Sequence, residues 1–203
     1  MKRIHYTSGI IIAVFIVLHL FNHLYSLLGI EAHLQMMDQL RLVYRNIFIE
    51  TILLLTIFVQ IITGVQLFRK KRKIVVGFFE KLQIWSGLYL AFFLTFHLSA
   101  VFIGRLILDL DTNFYFGAAG INTFPFYFFF IPYYGLAILS FFGHIAAIHA
   151  QKMKKDILGI SPKRQAYLLL TVGGIVVLTM FYGLTNGFNG IGLPEAYHVL
   201  IGK

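Results

Sequence analysis

Cysteine is absent from the 203 residues, which excludes disulfides, iron–sulfur ligation and thiolate-bound metal in this chain. Histidine, present eight times, is left to carry any redox centre. Charge is scarce as well: 12% of residues are Asp, Glu, Lys or Arg, and only eight are acidic. That is too little for the surface of an ordinary soluble domain. Stretches that would mark a linker, a low-complexity tract or a second domain are missing, so residues 1–203 read as one domain. What fills the chain is apolar. Hydrophobic residues make up 59% and aromatics 17%, with a mean hydropathy of +0.81, and helices in lipid are the economical reading.

Five stretches reach the roughly 20 residues that a membrane-crossing helix needs. They are 7–29, 46–68, 82–106, 126–150 and 165–187. The expected fold is therefore all-α, an integral membrane bundle of five transmembrane helices. No cleavable signal peptide is expected, because the first run keeps its histidines, continues past signal length and lacks a small-residue cleavage site. Pro125 is placed at the opening of span four, where its missing N–H costs nothing. Of the 17 basic residues, two precede span one, six follow span two (Arg69 to Lys73 and Lys81) and five follow span four (Lys152 to Arg164). By the positive-inside rule those segments are cytoplasmic and the C-terminus is outside, as in a prokaryotic inner membrane. The same rule accounts for the net charge of +9, so nucleic acid is not the partner it implies; membrane lipid is. The aromatic run Phe124 to Tyr134 sits at the outer interface, as a lipid-facing belt or as a quinone lining.

Spans one and three carry one phrase, Ser8-Gly9-x9-His19-Leu20 and Ser86-Gly87-x9-His97-Leu98. At 1.5 Å per residue, His19 and His97 both lie roughly 18 to 23 Å from the cytoplasmic ends of their spans. An ionisable side chain at such a depth is expensive and points to function. Two imidazoles at one depth suit the two faces of one haem iron. Deeper toward the cytoplasm a second pair matches: Gln60 of span two, about 12 Å from that end, and His144 of span four, about 9 Å. One pair is complete and the other has glutamine where histidine is expected. Gly9 and Gly87 lie about 15 Å inward of their histidines, so they open space at the inner pair, for close helix packing or for a flat ligand.

Five spans, an opening Arg3-x-His5 before Gly9, histidines in spans one, three and four, and basic loops after spans two and four resemble the single-chain cytochrome b that anchors succinate dehydrogenases and fumarate reductases. The similarity covers nearly the whole chain. The resemblance implies an electron-transfer subunit between a membrane quinone, menaquinone or ubiquinone, and two cytoplasmic partners, an FAD flavoprotein and an iron–sulfur protein. The dicarboxylate chemistry would be theirs. In that family four histidines bind two b haems. Carried over by position, His19 and His97 hold the outer haem and His144 is the fourth-helix inner ligand. Gln60 falls on the second-helix ligand, with Gly64 at the family's spacing, while Ile148 stands where the spacing after His144 calls for glycine. Glutamine is a poor ligand for haem iron. The expectation is one haem b per chain, the inner haem being lost and its pocket refilled by side chains or taken by a quinone near Gln60, Gly64, Gly87 and His144; the competing reading is a second haem held by His144 alone. Alternatives of other classes are a haem-free anchor or small-molecule binder of the same fold, and a cytochrome b of hydrogenase or formate dehydrogenase.

The remaining polar residues divide between structure and function. His23, one turn outward of His19, is the rival ligand on span one, or a contact to a haem propionate or a quinone carbonyl. His5 and Arg3 mark the inner end of span one, as snorkelling anchors or propionate partners. His33, His149 and His198 are placed at or beyond the interface, in water. Glu50 is the one acid well inside a span. It pairs with the nearby Arg45 or serves as a proton acceptor for quinol oxidation.

Overall fold

The apolar runs fold as predicted into an all-α protein with no strands, in a computed structural model that describes all 203 residues. Five helices are long and apolar enough to cross a membrane: α1 (Lys2–Leu24, prolonged by a 3-10 turn over Tyr25–Leu28), α3 (Ile47–Lys71), α4 (Phe78–Leu106), α6 (Tyr127–Lys152) and α7 (Pro162–Leu184). The shorter α2 (Ile30–Tyr44) and α5 (Phe114–Ala118) lie in the links. The helices overrun the apolar stretches that announced them. α1 begins at Lys2, and α3 ends on Arg69, Lys70 and Lys71, cations that suit the carbonyl end of a helix. Pro125 precedes α6 rather than opening it. α7 starts with Pro162 at its first position and stops at Leu184, before Asn186 and Gly187 turn to positive φ. At the head of α4 the Glu80 carboxylate accepts from the N–H groups of Val76 and Gly77, a side chain closing two orphan donors.

The long helices pack as a closed ring, α1 against α3, α3 against α4, α4 against α6, α6 against α7 and α7 back against α1. Residues 72–77 and 153–161 form short links on the face that also carries the N-terminus. The opposite face is thicker: it holds α2, residues 107–126 with α5, and a C-terminal tail ending in the 3-10 turn Glu195–Ile201. Only 33 residues are buried, and large apolar side chains such as Phe58, Phe96 and Leu178 point outward, the pattern of a bundle solvated by hydrocarbon. The one apolar cluster, Phe114, Ala118, Ile121, Ile138, Met180 and Leu184, seats α5 on α6 and α7 beneath the thick face.

α7 approaches the turn after α1 through Gly183. A Cβ there would collide with Ser26 Oγ and lie 3.0 Å from the Leu27 nitrogen, which is backbone and cannot yield. Gly183→Ala is therefore expected to destabilise the bundle by about 1–3 kcal/mol, the usual cost of overpacking, seen as a lower unfolding midpoint in detergent.

Candidate functional site

Polar side chains inside the ring gather at two levels. At the level nearer the basic face, α1 and α3 are joined by a hydrogen-bond chain. The Thr63 hydroxyl donates to the Val59 carbonyl, which leaves its oxygen to accept from His5 Nδ1 at 2.9 Å. Gln60 Nε2 then donates to His5 Nε2 at 3.3 Å, and Ser8 Oγ donates to Gln60 Oε1. Across the ring, His144 Nδ1 donates to the Gln83 carbonyl at 2.9 Å. That bond fixes the tautomer and leaves Nε2 as an acceptor without a protein partner, the way a backbone carbonyl orients a ligating imidazole. Both walls depend on glycine. A Cβ on Gly9 would lie 3.2 Å from Gln60 Nε2, and one on Gly87 would lie 3.0 Å from His144 Cε1. Between the walls is a cavity of about 750 Å³, lined by His5, Gln60, Gly64, Gly87, His144 and Ile148 among others, with Lys2, Lys71 and Lys152 at the basic face. Side chains do not refill it.

The second level lies three turns along α1 and α4. His19 and His97 lie edge to face, with ring centroids 6.2 Å apart and planes at 66°. A metal–imidazole bond of about 2 Å on each side, with roughly another 1 Å to each ring centre, gives about 6 Å for two imidazoles sharing one metal. Phe15 stacks on His19 and Phe93 on His97, and Tyr134 closes the edge of His97. His23 Nε2 is 3.2 Å from His19 Nε2, so one donates to the other. The cavity here is smaller, about 260 Å³, and its wall includes Arg41, Arg45, Arg105 and one carboxylate, Glu50. No three His, Asp or Glu side chains converge on a bare metal ion. A haem supplies four nitrogens itself and asks the protein for two, so the donor set fits that group. All five buried polar atoms without a partner, Asn22 Oδ1, His23 Nδ1, His33 Nδ1, Arg41 Nε and Asn122 Oδ1, belong to this end of the bundle. Seating a macrocycle requires the His19–His23 contact to open.

The structure thus brings His19 to His97, and Gln60, Gly64 and Gly87 to His144. His23 lines the outer cavity but sits against His19 and His33. His5 belongs to the inner wall, whereas Arg3 is exposed and lines neither cavity. Glu50 pairs with Arg105 of α4 and not with Arg45, because Arg105 hangs back one helix over while Arg45, at the end of α2, turns to Thr112 Oγ1 at 3.1 Å. His33 is not in water. It is 1% exposed, its Nε2 is 3.3 Å from Asn22 Nδ2, and its ring packs on His23 and Phe114. The reason is α2, which folds back over the ring and turns one face inward. Its spacing of His33, Met37 and Arg41 at intervals of four was the available signal. His149 is held by Gln165 Oε1 at 2.7 Å, and His198 is partly buried in the C-terminal turn.

Burial pushes His33 down to about 4, with His19 and Arg41 adding in the same direction. In the unfolded chain a histidine takes its proton near 6.5, so between these values the unfolded state binds more protons and acid favours it. Stability is expected to be fully present above pH 6.5 and to fall toward pH 4, with a shallower fall in His33→Gln, measured as unfolding midpoints against pH. Comparison of the chain with models of known protein families, with curated proteins and with solved structures found no match.

Proposed function

We propose that this chain is the membrane-anchor cytochrome b subunit of a succinate:quinone or quinol:fumarate oxidoreductase in a prokaryotic inner membrane. The observation that carries the reading is the His19–His97 pair, two imidazoles from different helices set across 6.2 Å inside an apolar ring. These two would hold one haem b, which when bound supplies one-electron transfer. The protein's part would be to hold both imidazoles in place, by Phe15 and Phe93 stacked on their faces, and to keep water away. The basic face, with Arg69 to Lys73 and Lys152 to Arg164, would be cytoplasmic and would dock the iron–sulfur protein that carries the FAD flavoprotein.

The inner cavity would take the quinone head group. Its chemistry follows from the bonds already made. His144 Nε2, an acceptor, receives a hydrogen bond from a quinol hydroxyl, and the second amide hydrogen of Gln60 donates to a carbonyl opposite. In so dry a setting those bonds are strong and directional.

Purified protein is expected to contain one low-spin haem b, counted by pyridine haemochrome. His19→Ala and His97→Ala each abolish the low-spin spectrum, while His198→Ala preserves it; an unchanged spectrum in His97→Ala ends the reading. Gln60→Leu is expected to slow quinone reduction in the assembled complex about tenfold, the worth of one buried hydrogen bond, without altering that spectrum. Full turnover in that variant would return Gln60 and His144 to interhelical packing.

A further inference from the structure

The wall of the outer cavity carries more guanidinium than carboxylate. Three guanidiniums line it, those of Arg41, Arg45 and Arg105, against one carboxylate, Glu50. Arg105 is matched by Glu50. Arg41 is matched from behind by Asp111, at 2.8 and 3.2 Å from its two terminal nitrogens. Arg45 is left over. It lies 3.8 Å from the carboxylate Arg41 already occupies, and its hydrogen bond goes to the neutral hydroxyl of Thr112. Burial, together with the neighbouring Arg41 and Arg105, disfavours its charge. Arg41 adds an Nε that is buried and has no partner. Arg45, 32% exposed, keeps part of its charge in water, but the donors that it and Arg41 leave unbonded lie in the wall of an apolar cavity, where the planar fork of a guanidinium suits a carboxylate.

We infer that Arg45, backed by Arg41, anchors a carboxylate carried by the ligand of the outer cavity. On the haem reading above, on which this rests, that group is a haem propionate. Arg41 lies on α2 and Arg45 at its end, so α2 would close the cavity over that carboxylate. Glu50 is excluded from the role because it carries the same sign as the ligand and is already held by Arg105.

The test pairs a change in the protein with a change in the ligand. Apoprotein is reconstituted in detergent with haem b and, separately, with its dimethyl ester, which keeps iron and ring but has no carboxylate charge; uptake is titrated by the low-spin absorbance. Wild type is expected to bind the free acid about tenfold or more tightly than the ester, the worth of one charge-assisted hydrogen bond or more. Arg45→Gln removes most of that preference while leaving affinity for the ester close to wild type, Arg45→Lys keeps part of it, and Lys203→Gln keeps all of it. Equal affinity of wild type for acid and ester, or an undiminished preference in Arg45→Gln, overturns the anchor and leaves the haem reading standing. Uptake of neither compound overturns both. Should Arg45→Gln fail to fold, the comparison of acid with ester in wild type and Arg45→Lys still decides the matter.

Discussion

A polar side chain inside a bundle solvated by hydrocarbon has no water to fall back on, and every feature of this protein follows from where its few polar groups find partners. They find them across helix seams. Ser8 of α1 meets Gln60 of α3, His5 meets Thr63, His144 of α6 reaches a carbonyl of α4, and Arg105 of α4 crosses to Glu50 of α3. Since lipid tails give apolar helix faces little reason to prefer one another, these crossings and the small residues that let them happen set the register of the ring.

The two levels differ in how complete that pairing is. At the inner level the amide of Gln60 is bonded on both of its atoms, so glutamine works there as a strut between α1 and α3 with one amide hydrogen to spare, and the free acceptor facing the cavity is Nε2 of His144. At the outer level the balance is unfinished: imidazole, amide and guanidinium atoms are buried without partners, and cations outnumber acids. Buried groups in that condition are what a protein shows where a bound group is to complete them. The level with the smaller cavity is thus the one whose side chains are short of partners.

Much of this was legible from residue order. Long apolar runs have only one fold open to them in lipid, and helical rise turns positions into depths, which is why the nearness of His19 to His97, and the common level of Gln60 and His144 on opposite walls of one cavity, could be read from the residue order. What could not be read was lateral. Depth arithmetic does not say which helix stands beside which, so Glu50 was matched to Arg45, its neighbour in sequence, when its partner comes from α4. Nor does it follow chain that leaves the membrane. α2 has too little apolar length to announce itself as a span, and its return over the ring, which buries His33 and delivers Arg41 and Arg45, depends on contacts with α1, α5 and the link after α4.

The phrase shared by α1 and α4 has a mechanical side. Ser8 and His19, like Ser86 and His97, are eleven residues apart, and eleven residues make almost three whole turns, about 20° of mismatch. Each helix therefore presents its inner and outer contact along one edge, and the two levels are locked in phase on two rigid rails. One residue gained or lost between them would swing a rail by about 100° and turn either the serine or the histidine out to lipid, whatever the loops did to compensate. Variation in such a protein is consequently free in the links and nearly forbidden in the length of the segments 8–19 and 86–97, whose interior residues, Gly9, Phe15, Gly87 and Phe93 among them, also line the two cavities.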